Sequence, residues 1–420
     1  MRILVVHNRY VERGGEDVAF AQEVDLLRAH GHAVATLVLD NADLQASGLG
    51  ARARLFAQAI WSAPVYAALR RHIRTFGPEV VHVHNWLPLV SPSAFYAAWA
   101  SGVPVVHTLH NYRLVCPAAT LYRAGRVCED CIGRGTWRGV AHACFSTRRT
   151  GYRGSRAGSL VVAAVLEAHR RLGTWRRVEA YIAVSRFVRQ RVLADGLGLD
   201  PSRVHVKGNF VDASGPVREG PGDYALYVGR LAPEKGVRTL VRAWASADGP
   251  GRHGLELKIV GSGPLEPELA GLAQAAGAPV TFLGRRPREE IAGLLAQARL
   301  AVVPSEWHEP LSIAAVEALA AGVPLLVTPL GGFSELVIDG DTGLHCLPGN
   351  PEHLAHRARQ LADDLAMNER MGRAARQLYL QHFTPEQNYA QLLDIYRAAQ
   401  AVRRSAVRSS WVVRAPQRVV

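Results

Sequence analysis

The stretch LAVVPSEWHEPLSIAAVEALAAGVPLLVT, residues 300 to 328, decides the fold. Its opening run, LAVVPS, is short, apolar and partly β-branched, which predicts a buried strand. Pro310 suits a first helical turn because its missing N–H would be unpaired there anyway. Leu311 to Ala321 is helical by composition, and Gly322 with Pro324 stops it. Strand, short loop and helix form the unit whose helix N-terminus offers free N–H groups and a partial positive charge to an anion. Glu309 in the loop and Glu317 two turns along lie roughly 12 Å apart at about 1.5 Å per residue, so a ligand touching both is elongated. Carboxylates are repelled by an anion, and their expected partners are hydroxyls. Hydroxyls at both ends with phosphate between them describe a nucleotide sugar. The bare spacing also fits two glutamates on a solvated helix face.

Working outward, 420 residues with 48% hydrophobic content are enough for two α/β domains with their own cores. The first residues, MRILVVHNRY, read as a sheet strand rather than a signal peptide. No apolar run of 18 residues or more is present to span a bilayer, so a cytosolic protein is expected. Of 49 basic residues only three are lysine, at 207, 235 and 258. Lys258, in LELKIVG, fits a strand near the surface. Lys235 lies in YVGRLAPEKG, straight after a strand, five residues from Arg230 and across a turn containing Pro233. Both cations can point at one anion above the C-terminal end of that strand, the edge where open α/β sheets bind ligands. There they could neutralise a diphosphate and stabilise it as a leaving group. Two solvated cations in a surface loop are the alternative.

Strand and helix alternate almost throughout. Strands are predicted at 2 to 6, 33 to 39, 79 to 84, 104 to 109, 180 to 184 and 203 to 207. Helices fall between them near 16 to 30, 52 to 75, 91 to 101, 157 to 172 and 186 to 195. After the turn-rich stretch DASGPVREGPGD, residues 212 to 223, come further strands near 224 to 229, 255 to 260, 280 to 283, 300 to 304 and 324 to 328. The expected division is a first domain over 1–212 with an insertion at 111–156, and a second over 213–384. A helix over 385–402 returns to the first domain, and a basic tail, 403–420, is disordered. Glycine turns follow strands in both halves: Gly14 and Gly15 in the first, Gly261 and Gly263 in the second, with Gly284 and Arg285 beyond the next strand. Each alone fits an ordinary tight turn; together they suggest close approach of backbone to a ligand.

The order YVGRLAPEKG, IVGSGPLE, VTFLGR and VVPSEWHEPLSIAAVEALAAGVPLLVTPLGGFSELVIDGDTG resembles the C-terminal domain of the retaining glycosyltransferases of family 4, the glycosyl transferases group 1. The GGED turn, VHVHNWLP and VVHTLHNYRLVCP are similar to the matching N-terminal half, so the resemblance covers roughly residues 1 to 400. It implies the α/β GT-B architecture: two Rossmann-like, doubly wound parallel-sheet domains facing across a cleft. By position, Arg230 and Lys235 match the pair that binds the donor diphosphate, Glu317 the residue that holds the ribose hydroxyls, and Glu309 the one that holds the donor sugar. Leu311 and Ser312 stand where the family carries an aromatic and a glycine, at positions whose backbone N–H groups face sugar or phosphate. His110 matches the cleft histidine near the reacting sugar, although a polar strand cap would also account for it.

The resemblance further implies transfer with retained anomeric configuration, the departing diphosphate helping to draw the proton from the incoming hydroxyl. No cofactor or metal is then needed for catalysis, and the sequence holds no DxD pair set on a loop for one. The implied donor is a UDP- or GDP-sugar. The implied acceptor is a lipid-linked or saccharide hydroxyl, in a setting such as bacterial surface polysaccharide assembly.

Two features stand outside this reading. Cys116, Cys128, Cys131 and Cys144 cluster in the insertion, apart from Cys346. In a reducing cytosol they suggest a four-thiolate structural zinc, with unligated thiols or redox pairing as alternatives. Residues 111 to 195 also hold 16 Arg against 5 acids. Interleaved with aromatic residues, as in TRRTGYRGSR and HRRLGTWRRVEAY, this region could lie on an anionic membrane surface at the inner face; a solvated Arg-rich face is the alternative. A zinc-containing nucleic-acid-binding protein fits pI near 10, but no helix-turn-helix or RNA-recognition motif is present and no nucleic-acid partner is expected. A pyridoxal phosphorylase needs a Schiff-base lysine, and Lys258 lies mid-strand without a cofactor motif. A nucleotide-sugar binder without activity stays open.

Overall fold

The computed structural model describes residues 1–11, 14–42, 54–145, 154–212 and 214–406 in full, and the backbone at 43, 49–53 and 407–412. Its first half contains β1 (Arg2–Arg9), α1 (Gly15–Ala29), β2 (Ala33–Asp40), α2 (Leu49–Ile60), α3 (Ala63–Phe76) and β3 (Val80–Val83). There follow α4 (Ser93–Ala100), β4 (Val105–Leu109), the hairpin β5 (Tyr122–Arg123) and β6 (Arg126–Val127), and α5 (Arg138–Ala141). Helix α6 (Arg156–Arg171), β7 (Ala180–Ala183), α7 (Arg186–Ala194) and β8 (Val204–Val206) complete it. The second half opens with β9 (Tyr224–Val228), α8 (Val237–Ala245), β10 (Glu256–Val260), α9 (Glu266–Ala276), β11 (Val280–Gly284) and α10 (Arg288–Ala296). It continues with β12 (Ala298–Val303), α11 (Ile313–Ala321), β13 (Leu325–Val327), α12 (Phe333–Leu336) and β14 (Gly343–His345). Helices α13 (Pro351–Asp363), α14 (Leu365–His382) and α15 (Pro385–Val412) end the chain.

Two six-stranded sheets result, ordered β2-β1-β3-β4-β7-β8 and β11-β10-β9-β12-β13-β14. Every pairing in both is parallel. Parallel strands are covered on both faces, which is why β1 reads as the unbroken apolar run ILVV. Leu4 and Val6 pack into one cluster with Leu69, Ile73 and Phe95. Ile3 and Val5 pack on the other face with Phe20, Val24 and Leu27 of α1 and with Leu392, Ile395, Tyr396 and Ala399 of α15. The C-terminal helix thus lies on the first sheet.

In each sheet the strand order reverses next to the first strand, at β1/β3 and at β9/β12. Loops on the two sides of such a point diverge and leave a crevice at the carboxyl ends of the strands. Topology alone therefore assigns the site to the loops after β1, β3 and β4 in one half and after β9 and β12 in the other.

Several expectations are corrected. The single helix read over 52–75 is two, broken at Trp61 and Ser62 where Pro64 begins a new first turn. Pro310 lies outside α11, which starts at Ile313 with Ser312 as N-cap, its hydroxyl accepting from Ala315 N–H at 3.3 Å. Glu309 makes a parallel bridge to Gly331, and its carbonyl accepts from Gly332 N–H at 2.7 Å, so the backbone there is committed elsewhere. Strand β14, three residues long, was too short to be read from pattern. The C-terminal helix does not stop at 402 but runs to Val412, and Arg403, assigned to a disordered tail, bonds Glu179 at 3.4 Å and the Trp99 carbonyl at 2.8 Å. Residues 413–420 lie outside the described residues, as does most of TRRTGYRGSR.

Candidate active site

The loop after β9 and the loop after β12 are joined at the backbone. Glu306 N–H donates to the Glu234 carbonyl at 2.9 Å. Gly236, at φ +67°, lies so close to the Pro304 carbonyl that a Cβ would sit 1.8 Å from its oxygen. Only glycine allows this approach, and its consequence is chemical. Lys235, the residue before it, is carried to the mouth of β12, where its ammonium donates to both carboxylate oxygens of Glu309 at 2.8 Å.

Glu309 is 5% exposed. Besides Lys235 it accepts from Ser305 Oγ at 3.1 Å and Trp307 Nε1 at 2.6 Å, and the Lys235 ammonium lies 5.0 Å from the Trp307 ring centroid. Three of these four bonds fall on Oε2, and Oε1 accepts from Lys235 alone among the described residues. With two acceptor positions on each oxygen, Oε1 keeps one for a sugar hydroxyl. Arg230 pairs with Glu234 at 2.6 Å, with its guanidinium half exposed. Burial raises the Glu234 carboxyl, and the nearby Lys235 and Glu309 act in opposite senses on it.

Glu317 rides α11, a helix that is otherwise apolar nearly all round and therefore buried. Its carboxylate accepts from Arg288 Nε at 2.9 Å. Burial raises its pKa, partly offset by that hydrogen bond and by the Arg288 charge. The reading of two glutamates on one solvated face fails: both are enclosed, and each has a cation as partner. The N–H groups of Leu311 and Ser312 have no protein acceptor among the described residues. The Leu311 side chain packs against both halves, with one methyl 3.5 Å from where a Cβ on Gly208 would be.

Gly261 and Gly263 have a reason other than ligand approach. A Cβ on Gly261, at φ +140°, would lie 1.8 Å from the Gly229 carbonyl oxygen, and one on Gly263 2.3 Å from that of Leu231. The glycines let the β10 loop lie on the β9 loop. Arg285 donates to Ser262 Oγ at 2.7 Å beside them.

Across the crevice, Gly14 caps α1 and has open space where a side chain would be; a Cβ on Gly15 would lie 3.4 Å from Ile313 Cδ1. The two halves meet around the N-terminus of α11. Further contacts cross beside it: Glu335 of α12 accepts from the N–H groups of Arg186 and Phe187 at 2.9 and 2.7 Å, capping α7, and the Phe187 ring lies 4.5 Å from that of His308.

His110 heads a buried polar chain that the sequence reading missed. Its Nε2 lies 2.9 Å from His84 Nδ1; His84 Nε2 lies 3.2 Å from Glu23 Oε1, and His82 Nδ1 3.0 Å from the same oxygen. Lys207 donates to Glu23 Oε2 at 2.9 Å and to Asn388 Oδ1 at 2.9 Å. Burial pushes the Glu23 carboxyl up, but Lys207, His82 and the histidine hydrogen bonds together hold it well below the ordinary range. Burial depresses His84 to about 3, helped by His82, and lowers His110 well below the ordinary histidine value, helped by His84. His110 is therefore a neutral ring in the crevice. The signal was present: in VHVHN the period of two puts His82 of β3 and His84, the residue after it, on one face, and Lys207 was the one lysine of three left unread.

Glu23, His82 and His84 form a trio whose ligand atoms lie within 4.8 Å of one another. A cation already fills the electrostatic role there, since the Lys207 ammonium sits on Glu23, and the second ring nitrogen of His82 is bonded to Thr108 at 2.7 Å. The trio reads as a charge-balanced polar network.

Tyr112 was also missed. Its hydroxyl has no partner among the described residues although the residue is fully buried, and burial followed by the nearby Glu309 charge raises its pKa well above the usual phenol value.

Comparison with known proteins agrees with this geometry. Residues 13–214 match the family described as Glycosyltransferase Family 4, and residues 215–378 match Glycosyl transferases group 1. The chain is 29% identical over 339 residues to a glycogen synthase of Mycobacterium tuberculosis, spanning 78% of this chain and 70% of the relative. To the alpha-D-kanosaminyltransferase of Streptomyces kanamyceticus it is 34% identical over 174 residues, 41% of this chain and 45% of that protein. Among solved structures, the sucrose-phosphate synthase of Thermosynechococcus elongatus aligns with a TM-score of 0.67 at 18% identity, covering 96% of this chain and all of the other. Anabaena HepE in complex with UDP and glucose aligns at 0.64 and 19%, over 94% and 98%. With both halves matched in order and the two-sheet crevice between them, the chain belongs to the family 4 glycosyltransferases and has the GT-B fold.

Proposed function

We propose that the protein moves a sugar from a nucleotide-sugar donor to an acceptor hydroxyl with retention of anomeric configuration. The observation that carries this reading is the Lys235–Glu309 pair set beside the half-exposed Arg230 and the unbonded N–H groups of Leu311 and Ser312. Two cations and a helix N-terminus form a diphosphate cradle, and Glu317, just over one turn into α11, is placed for ribose hydroxyls. The bond from the anomeric carbon to the phosphate oxygen breaks, one from that carbon to the acceptor oxygen forms on the same face, and the acceptor proton passes to the departing phosphate. Lys235, Arg230 and the α11 N-terminus stabilise the charge that develops on the diphosphate. Neutral His110, fixed by His84, offers a hydrogen bond to the sugar without adding a charge. Glu309 orients Lys235 and meets a sugar hydroxyl through Oε1, which accepts only from Lys235 among the described residues. No metal has a part in these steps.

That the structural neighbour HepE was solved with UDP and glucose supports a uridine donor over a guanosine one. The acceptor in this reading is a lipid-linked or saccharide hydroxyl of a surface polysaccharide, reached with the Arg-rich part of the first half on an anionic membrane. Among the described residues no helix is long and apolar enough to cross a membrane. Some of those arginines have structural partners, such as Arg189 on the Val204 carbonyl and Arg177 over Trp99, so contact with lipid falls to the remainder.

Release of nucleoside diphosphate from a panel of UDP- and GDP-sugars, with and without lipid-linked acceptor, tests the reading. Acceptor-dependent release with an α-linked product from an α-linked donor supports it. Binding of donor without turnover under every acceptor condition refutes it in favour of a binding protein. Flotation with anionic vesicles that fails even at low salt removes the membrane component.

A further inference from the structure

The segment between β4 and α6 is the least self-sufficient part of the fold. Among its described residues, regular structure amounts to the four-residue hairpin β5–β6 and the single turn α5, which together cannot enclose a core. Yet it is ordered around four cysteines, spaced by 11, 2 and 12 intervening residues. Cys116, Cys128, Cys131 and Cys144 all line one cavity of about 20 Å³, and none is in a disulfide. Each is fixed through its backbone: Cys116 N–H donates to the Tyr112 carbonyl, Cys128 N–H to that of Leu121, Cys144 N–H to that of Gly139, and the Cys131 carbonyl accepts from Arg134 N–H, at 2.8 to 3.1 Å.

We propose that these four cysteines bind one zinc ion, and that the ion holds the segment as a strap across the crevice. Four sulfurs round one point are the ligand set of a closed structural site, soft enough to prefer zinc over magnesium or calcium. A cavity of this size admits a single ion and has no room for an iron–sulfur cluster. Binding releases four thiol protons, leaving a site of net charge 2−; Arg123 lines the cavity with its guanidinium paired to Asp130 at 2.7 Å. No three of these sulfurs lie within 4.8 Å of one another. The ion therefore draws them inward by side-chain rotation, toward separations of roughly 3.8 Å set by zinc–sulfur bonds of about 2.3 Å.

The strap reaches the loops that carry the site. Glu129, inside the Cys128–Cys131 turn, pairs with Arg191 of α7 at 2.8 Å and with His308, the residue before Glu309, at 3.2 Å. The β5–β6 hairpin faces the Lys235 loop: Tyr122, Ala124 and Gly125 oppose Pro233, Arg238 and Glu306 across a cavity of about 240 Å³. Zinc in the strap thus fixes, from the first half, the two loops of the second half that meet at Lys235 and Glu309. The metal assignment is independent of the transferase reading and survives its failure.

The test is elemental analysis of the full chain, purified under reducing conditions without chelator from cells supplied with zinc. Roughly one equivalent of zinc per chain is expected, released as a mercurial titrates the thiols. Cys128→Ser/Cys131→Ser should lose it, whereas Cys346→Ser, whose thiol is buried elsewhere, should keep it. Zinc-stripped protein should become open to trypsin at Arg123, Arg126, Arg134 or Arg138, and zinc should restore protection. Less than about half an equivalent of zinc in the wild-type chain, iron in its place, or a disulfide among the four in protein alkylated under native conditions would each overturn the proposal.

Discussion

The Lys235 ammonium donates to both oxygens of Glu309 while Ser305 and Trp307 occupy the same carboxylate. A buried ion pair is asymmetric: removing one partner strands the other charge, whereas removing both is far milder. Lys235→Met should lower both the melting temperature and kcat/KM, the latter by about 10²- to 10³-fold, the scale of losing one charge-stabilising donor. Lys235→Met/Glu309→Gln should regain much of the stability and none of the activity. Thermal unfolding beside steady-state kinetics reads the two effects apart. Full activity in the single variant would remove Lys235 from the site.

Glu317 offers the ribose one charged acceptor, and a hydrogen bond to a charged group contributes about 1.5 to 3 kcal/mol. Glu317→Ala should therefore raise the donor KM by roughly 10- to 100-fold with a smaller change in kcat, because the ribose is remote from the reacting carbon. An equal loss in kcat with KM untouched would contradict the ribose assignment.

The tyrosine hydroxyl at 112 is buried without a partner, so the folded protein gains nothing from it alone. Tyr112→Phe should leave the melting temperature unchanged or higher. If the hydroxyl meets bound substrate near Glu309, kcat/KM should fall about tenfold, equivalent to about 1.4 kcal/mol. A destabilised but fully active variant would show that the hydroxyl is structural.

Acid should destabilise the first half in a defined window. Burial holds His84 at about 3 and His107 at about 4. Both lie below the unfolded value of about 6.5, so as pH falls the unfolded chain binds protons that the native state refuses. Their contribution is complete above pH 6.5 and is lost as pH drops toward 4 and then 3. Each ring adds a slope of about 1.4 kcal/mol per pH unit in that range. Urea midpoints measured between pH 7.5 and 5 should decline, and His107→Phe should reduce the slope by one ring's share. A flat profile would mean that these rings are solvated. Since burial holds His110 well below the ordinary histidine value, kcat/KM should show no limb from its ionisation near the ordinary histidine pKa.

Fold and site were legible to different degrees. Period-two and apolar runs gave both sheets' strands within about two residues, except β14 and the end of β1, which runs three residues further to Arg9, because a strand buried on both faces leaves a continuous mark. The resemblance supplied Arg230, Lys235, Glu309 and Glu317 as one group, and the chain folds to bring Lys235 and Glu309 into contact. What it did not give was their protein partners: Glu309 accepts from Lys235, and Glu317 from Arg288. The glycines at 261 and 263 were read as ligand contacts, while neighbouring backbone is what excludes a side chain there.

The sequence alone determined the α/β alternation, the helix N-terminus at the crevice and the cysteine spacing, because each is set by residues close together in the chain. Only the tertiary structure decided that Glu23 of α1, His84 just after β3, Lys207 after β8 and Asn388 of α15 share one buried network behind His110. These residues are up to several hundred positions apart, and what joins them is the order of strands in the sheet and the return of the last helix. Local hydrophobic pattern specifies that a strand is buried but carries no record of which strand lies beside it.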